Sequence, residues 1–191
     1  MPATRRALLR TAGTLLPAVG LAGCTFTSGP DTRSAEYLQL KAVTVSWRRD
    51  GRSYEDQLFK LLSDGESEIR GDVASEYAEL TSPPTEITVS EDVHDELERA
   101  FETVRYGVGF CGDEFGTGDG HGCLNTGISR ADFNRVQFGD RAEVTVVDNA
   151  FRIESVEEGD RAAVREWGTD VREYDWTERH SGRGRDVSLA D

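Results

Sequence analysis

Cys111 and Cys123 enclose the segment Gly-Asp-Glu-Phe-Gly-Thr-Gly-Asp-Gly-His-Gly, a short stretch crowded with groups capable of chemistry. It offers two thiols, the imidazole of His121, and the carboxylates of Asp113, Glu114 and Asp119. Two chemistries follow. In an oxidising compartment an isolated thiol pair forms a disulfide, and closing a loop of this size contributes ~3 kcal/mol by restricting the unfolded chain. Five glycines between the cysteines make that restriction count. The alternative is a metal site drawn from Cys111, Asp119, His121 and Cys123. The sulfur and imidazole ligands suit zinc or copper, and the acids suit calcium. The acid spacing departs from the EF-hand pattern, and the cysteine spacing departs from the Cys-x-x-Cys of redox-active pairs. The disulfide is the first expectation. His121 lies between two glycines and reads as exposed. To act as a base it needs an orienting acid, and Asp119 and Asp113 are the candidates. His94 reads as a solvated helix position and His180 as part of a polar tail.

The first 24 residues supply the compartment. Arg5 and Arg6 open a basic region, Thr11 to Ala22 carries no charge, and Leu21-Ala22-Gly23-Cys24 follows. A basic start, a short apolar run and small residues before a cut are the parts of an export signal. The run is about half of the ~20 residues a membrane-spanning helix needs. Thr4-Arg5-Arg6-Ala7-Leu8-Leu9 resembles the twin-arginine export consensus, and Leu21-Ala22-Gly23-Cys24 resembles a lipobox. Together they resemble the leader of a Tat-exported lipoprotein. The resemblance implies export of a folded chain and a lipid on Cys24, whose two acyl or alkyl chains suffice for stable anchoring. The expected organisation is a signal peptide over residues 1–23, a lipidated start and flexible tether over 24–35, one globular domain over 36–178, and a polar tail over 179–191. The expected partner is the membrane, through that lipid.

Composition agrees with such a surface life. The chain has 22 basic and 36 acidic residues. Taking away Arg5, Arg6 and Arg10 with the leader leaves 19 basic residues against 36 acidic, a net charge of −17. Lysine occurs only at Lys41 and Lys60. Acid excess with scarce lysine resembles the proteins of extremely halophilic archaea. The acidic surface repels phosphates and argues against nucleic acid as partner. Three Trp and eight Phe spread along the chain argue for a packed core rather than disorder.

The elements that must position the loop read as follows. Leu38 to Trp47 alternates with a phase shift at Lys41-Ala42, the mark of a long strand with a bulge. Asp50-Gly51 turns it into a return strand over 54–62, although Ser53 also offers a helix cap. Asp64-Gly65 is a second turn before a short strand from Glu68 to Val73. Glu86 to Val89 reads as a short strand. Ser90 caps a helix carrying Val93, Leu97, Ala100, Phe101 and Val104 on one face. Tyr106 to Cys111 is a strand entering the cysteine loop, Phe133 to Phe138 is partly extended, and a hairpin turns at Asp148-Asn149. Val164, Trp167, Val171 and Tyr174 fall near helical spacing, which predicts a C-terminal helix with Gly168 as its weak point. The expected fold is α+β: an antiparallel sheet, curled toward a barrel, with one central helix and a C-terminal helix.

The sequence carries no nucleophile elbow, phosphate-binding loop, zinc-protease helix or dinucleotide fingerprint. No cofactor is expected. The reading is a lipid-anchored, non-enzymatic binding or envelope-associated protein. Its alternative is a surface metal-binding or hydrolytic protein built on the cysteine loop with His121 and Asp119. Repulsion among the acids is screened at molar salt, where the Debye length is ~3 Å, and acts further at 0.1 M, where it is ~10 Å. The melting temperature is therefore expected to fall as salt drops from molar to about 0.1 M. A melting temperature constant over that range contradicts the halophilic reading.

Overall fold

The computed structural model describes residues 31–118 and 120–181. Two tight hairpins organise it. Asp50 and Gly51 both have positive φ, 51° and 75°, and so do Asp148 and Asn149, 51° and 60°. Turns with two such residues match the twist of paired strands. The first turn joins β2 (Tyr37–Arg49) to β3 (Arg52–Ser63), and the second joins β7 (Arg141–Val147) to β8 (Ala150–Glu157). The remaining strands are β1 (Thr32–Ala35), β4 (Glu68–Ala74), β5 (Thr103–Gly112), β6 (Gly122–Ile128) and β9 (Gly168–Tyr174). Among the described residues they form one open sheet in the order β1-β7-β8-β6-β5-β2-β3-β4-β9. The pairings are antiparallel except β6 with β8 and β4 with β9, which are parallel. The fold is α+β, and the sheet does not close into a barrel.

Bulges shape this sheet. Opposite β5, Leu38 pairs with Phe110 and Leu40 with Gly109, so Gln39 is an extra residue on β2. Opposite β2, Leu58 is the extra residue on β3. Each insertion moves the following side chains to the other face. The alternation along β2 therefore resumes out of phase, and Lys41 arrives on the core face between Leu61 and Val108. The shift visible in the sequence is real, and the bulge lies two residues before the point where the pattern marks it.

The core face is covered by α1 (Glu91–Ala100), α2 (Arg130–Arg135) and the segment 83–89. Ser90 caps α1 by accepting from the Val93 amide, and Ser129 caps α2 by accepting from Asp132. Lys41 is fully buried beneath this cover. Its ammonium donates to the carbonyls of Ile87, Phe133 and Val136, each at 2.8 Å, with Gln137 Oε1 at 3.3 Å. It also lies 4.1 Å from the centre of the Phe133 ring. Burial pushes its pKa well below the ordinary lysine value, and the nearby Asp140 carboxylate opposes that shift.

The structure corrects several expectations. Glu86 to Val89, read as a short strand, belongs to no ladder. Amide side chains replace a neighbouring strand. Gln137 accepts from the Ile87 amide and donates to the Ile87 carbonyl, and Asn134 does the same for Val89. Of the stretch Phe133 to Phe138, read as partly extended, Phe133 to Arg135 is helical and Val136 is extended. The predicted C-terminal helix breaks into α3 (Arg161–Arg165), strand β9 and α4 (Trp176–Arg179). α3 ends at Arg165, and Gly168 opens β9, its amide donating to the Ser67 carbonyl as β9 joins β4. The last four residues of the stretch read as a tether, Thr32–Ala35, are strand β1 paired with β7. His180, read as tail, is buried between the rings of Trp47 and Trp176, with Nε2 3.1 Å from Asp56 Oδ2. His94, read as solvated, is partly covered, with Nδ1 2.9 Å from the Tyr106 hydroxyl and Nε2 3.4 Å from Glu98.

Lys41→Met removes the ammonium while keeping the bulk of the chain. Each buried carbonyl deprived of its donor costs ~1–3 kcal/mol, offset by the desolvation penalty that the charge no longer bears. The expected result is a loss of about 2–4 kcal/mol in denaturant unfolding at molar salt. An unchanged or raised midpoint shows that the ammonium costs more to bury than its bonds contribute.

Candidate functional site

Cys111 is the second-last residue of β5 and Cys123 the second of β6, directly opposite each other in the antiparallel register. They form a disulfide with Cα atoms 4.1 Å apart. Cys111 is buried and Cys123 exposed. The bond consumes both thiolates, so in this oxidised state neither sulfur is a metal-binding thiolate. Asp119, named as a candidate ligand and orienting acid, lies outside the described residues, as do Arg5, Arg6 and Cys24.

The loop between the cysteines is packed. A 3₁₀ turn over Asp113–Phe115 drives the Phe115 ring against Phe151, with centroids 6.3 Å apart. Arg33 of β1 covers Phe115 from outside. Gly116 and Gly122 touch across the loop: a Cβ on Gly122 would sit 2.5 Å from the Gly116 Cα. Only glycine allows that approach.

His121 is 44 % exposed at its side chain. Its ring stacks on Tyr37, with centroids 5.9 Å apart and planes 11° apart. Tyr37 is held in turn by Gly65, where a Cβ would come within 2.6 Å of the Tyr37 ring. The turn bearing Gly65 is locked by Asp64, whose Oδ1 accepts from the amides of Glu66, Ser67 and Glu68. Those bonds hold the Asp64 carboxyl well below the usual carboxylate range.

Stacked in this way, His121 turns Nδ1 toward two carboxylates, 3.6 Å from Asp113 Oδ1 and 3.9 Å from Glu36 Oε2. The Glu36 amide donates to the Cys111 carbonyl at 2.9 Å, and Glu36 Oε1 accepts from the Asp113 amide at 3.1 Å. Glu114, the other acid of the loop, turns away and accepts from the Ser34 amide. Of the residues expected here, His121 and Asp113 do come together, beside the disulfide. Glu36 and Tyr37 were not expected. They lie more than seventy positions upstream, and only the β2–β5 register brings them in.

The other acidic groups are structural or dispersed. Asp160 caps α3 through the amides of Ala162 and Ala163, and Glu154 accepts from Thr145. Glu91 and Asp92 lie in the first turn of α1, where they favour the helix dipole. A surface depression of about 450 Å³ lies beside β1 and is lined by Glu36, Arg141, Glu143 and Glu157 among others. Comparison with protein families, with curated proteins and with solved structures finds no match.

In the native protein no thiol at Cys111 or Cys123 is expected to react with an alkylating agent before reduction. Reduction is expected to cost ~3 kcal/mol at most, loosening residues 112–122 first while the Lys41-centred core persists. Rapid alkylation of the native protein at both positions contradicts the bonded pair.

Proposed function

We propose that this chain is a lipid-anchored extracytoplasmic protein, held at a membrane through Cys24, that acts as a non-enzymatic binding or envelope-associated module. The observation that carries the reading is the leader's residue sequence: Arg5-Arg6, an uncharged run, then Leu21-Ala22-Gly23-Cys24. The Cys111–Cys123 disulfide fits an oxidising compartment. Among the described residues no helix is long and apolar enough to cross a membrane.

The short distance from Cys24 to the first strand gives the reading a geometry. β1 begins at Thr32, eight residues after Cys24. A fully extended chain of that length reaches roughly 28 Å. An anchor at Cys24 thus keeps the β1 edge, and with it the disulfide end of β5 and β6, close to the lipid surface. The competing reading, a metal-binding or hydrolytic surface protein, is favoured by the convergence of Glu36, Asp113 and His121.

Cys24→Ser is expected to shift the protein out of the membrane fraction, and Arg5→Lys with Arg6→Lys to block its export. A Cys24→Ser protein that still sediments with membranes, or an unlipidated intact leader in the mass spectrum of the membrane form, overturns the anchor.

A further inference from the structure

We propose that Glu36, Asp113 and His121 form a binding site for one divalent transition-metal ion of the zinc type. The site lies on the surface beside the disulfide. It uses neither cysteine, and it does not depend on the lipid anchor.

The first argument is the donor set. One imidazole nitrogen and two carboxylate oxygens all lie within 4.8 Å of one another. An imidazole with carboxylates suits zinc and its neighbours, whereas calcium and magnesium prefer oxygen alone.

The second argument is the spacing. Nδ1 lies 3.6 and 3.9 Å from the two carboxylate oxygens. An N–H···O hydrogen bond spans 2.7–3.2 Å, so the imidazole bonds to neither acid. Two ligand atoms held ~2.0–2.1 Å from one tetrahedral zinc stand about 3.4 Å apart, so the Asp113 gap needs little change and the Glu36 gap closes by about half an ångström when an ion binds. The observed gaps match ligands around an ion more closely than they match partners bonded to each other.

The third argument is that each ligand is positioned by something else. Tyr37 holds the imidazole plane. Glu36 is fixed at its backbone by the Cys111 carbonyl and at Oε1 by the Asp113 amide, which leaves Oε2 facing His121. Asp113 and His121 flank the two strand ends that the disulfide ties together. Such support lowers the ordering that an ion must impose when it binds. The remaining coordination positions face solvent, because all three residues are exposed. The expected affinity is therefore moderate, and water completes the shell.

The competing account is an imidazolium attracted by two acids with no ion between them. Titration of the full-length protein with zinc alone, by calorimetry at molar sodium chloride with iodoacetamide present, separates the two. Binding of one equivalent is expected, weakened at least tenfold by His121→Ala and also by Glu36→Gln, and unaffected by Asp92→Asn on α1. Excess calcium is expected to leave zinc binding in place. Failure of zinc to bind, affinity unchanged in His121→Ala, equal competition by calcium, or loss of binding on alkylation each overturns the site. None of these outcomes bears on membrane attachment, which the Cys24→Ser fractionation reads separately.

Discussion

The Lys41 ammonium is the constraint on which the cover of the sheet depends. A buried charge with three N–H donors requires three acceptors, and this one takes them from two separate parts of the chain. Ile87 belongs to the segment before α1, whereas Phe133 and Val136 belong to α2 and its end. One group therefore clasps to β2 two pieces that Gln137 and Asn134 also bond to each other. The adjoining polar groups extend the clasp. Gln137 spans the Ile87 backbone, and its own amide donates to Asp140 at 2.8 Å. Asp140 is fully buried and accepts from Gly159 and from Arg161, whose guanidinium also reaches the Phe138 carbonyl. Each member of the chain satisfies another, which is the condition under which a buried polar network specifies a structure instead of weakening it.

The network works only because β2 is out of phase with itself. Without the extra residue at Gln39, Lys41 would point outward with Leu40 inward, the arrangement that simple alternation favours. The same bulge lets the start of β2 run on to Cys111 of β5, so Tyr37 and the preceding Glu36 meet the cysteine loop. One irregularity in one strand thus serves both ends of the molecule. It sends a lysine into the core, and it delivers a carboxylate and an aromatic ring to the surface beside His121.

How legible these features are depends on whether their signals are local. The hairpins at Asp50-Gly51 and Asp148-Asn149 and the capped helix after Ser90 are local, and the sequence shows them because turn and cap chemistry spans only a few residues. The cysteine pair and the convergence of His121 with Asp113 are nearly local. Glu36, Tyr37 and Lys41 were invisible as site or core residues, because their roles arise from register between strands some seventy positions apart. The segment 86–89 looked like a strand because its side chains alternate, with Ile87 and Val89 both buried. The sequence does not reveal that two side-chain amides satisfy its backbone in place of a strand. The spacing of Val164, Trp167, Val171 and Tyr174 misled for the opposite reason. Val164 packs from a short helix and Val171 from a strand, and a periodicity count cannot see the break between Arg165 and Gly168.

The placement of the disulfide follows from what the core does not reach. The large buried side chains form one cluster, and the Lys41 clasp closes over part of it. The far ends of β5 and β6 have less to hold them: a loop rich in glycine whose one large apolar side chain is the buried Phe115. Hydrophobic burial scales with apolar area, so a surface loop made of glycine, acids and histidine gains little from it. A covalent bond across one register pair supplies order where packing cannot. Ser34 and Glu36 of the entering chain then bond to the loop through Glu114 and Asp113. The acids that would otherwise repel one another at this end are instead used as acceptors for backbone amides. Two oxygens, on Glu36 and Asp113, remain turned toward the imidazole. The chemistry of this end of the molecule therefore comes from the requirement that a loop with almost no apolar side chains be held in one conformation.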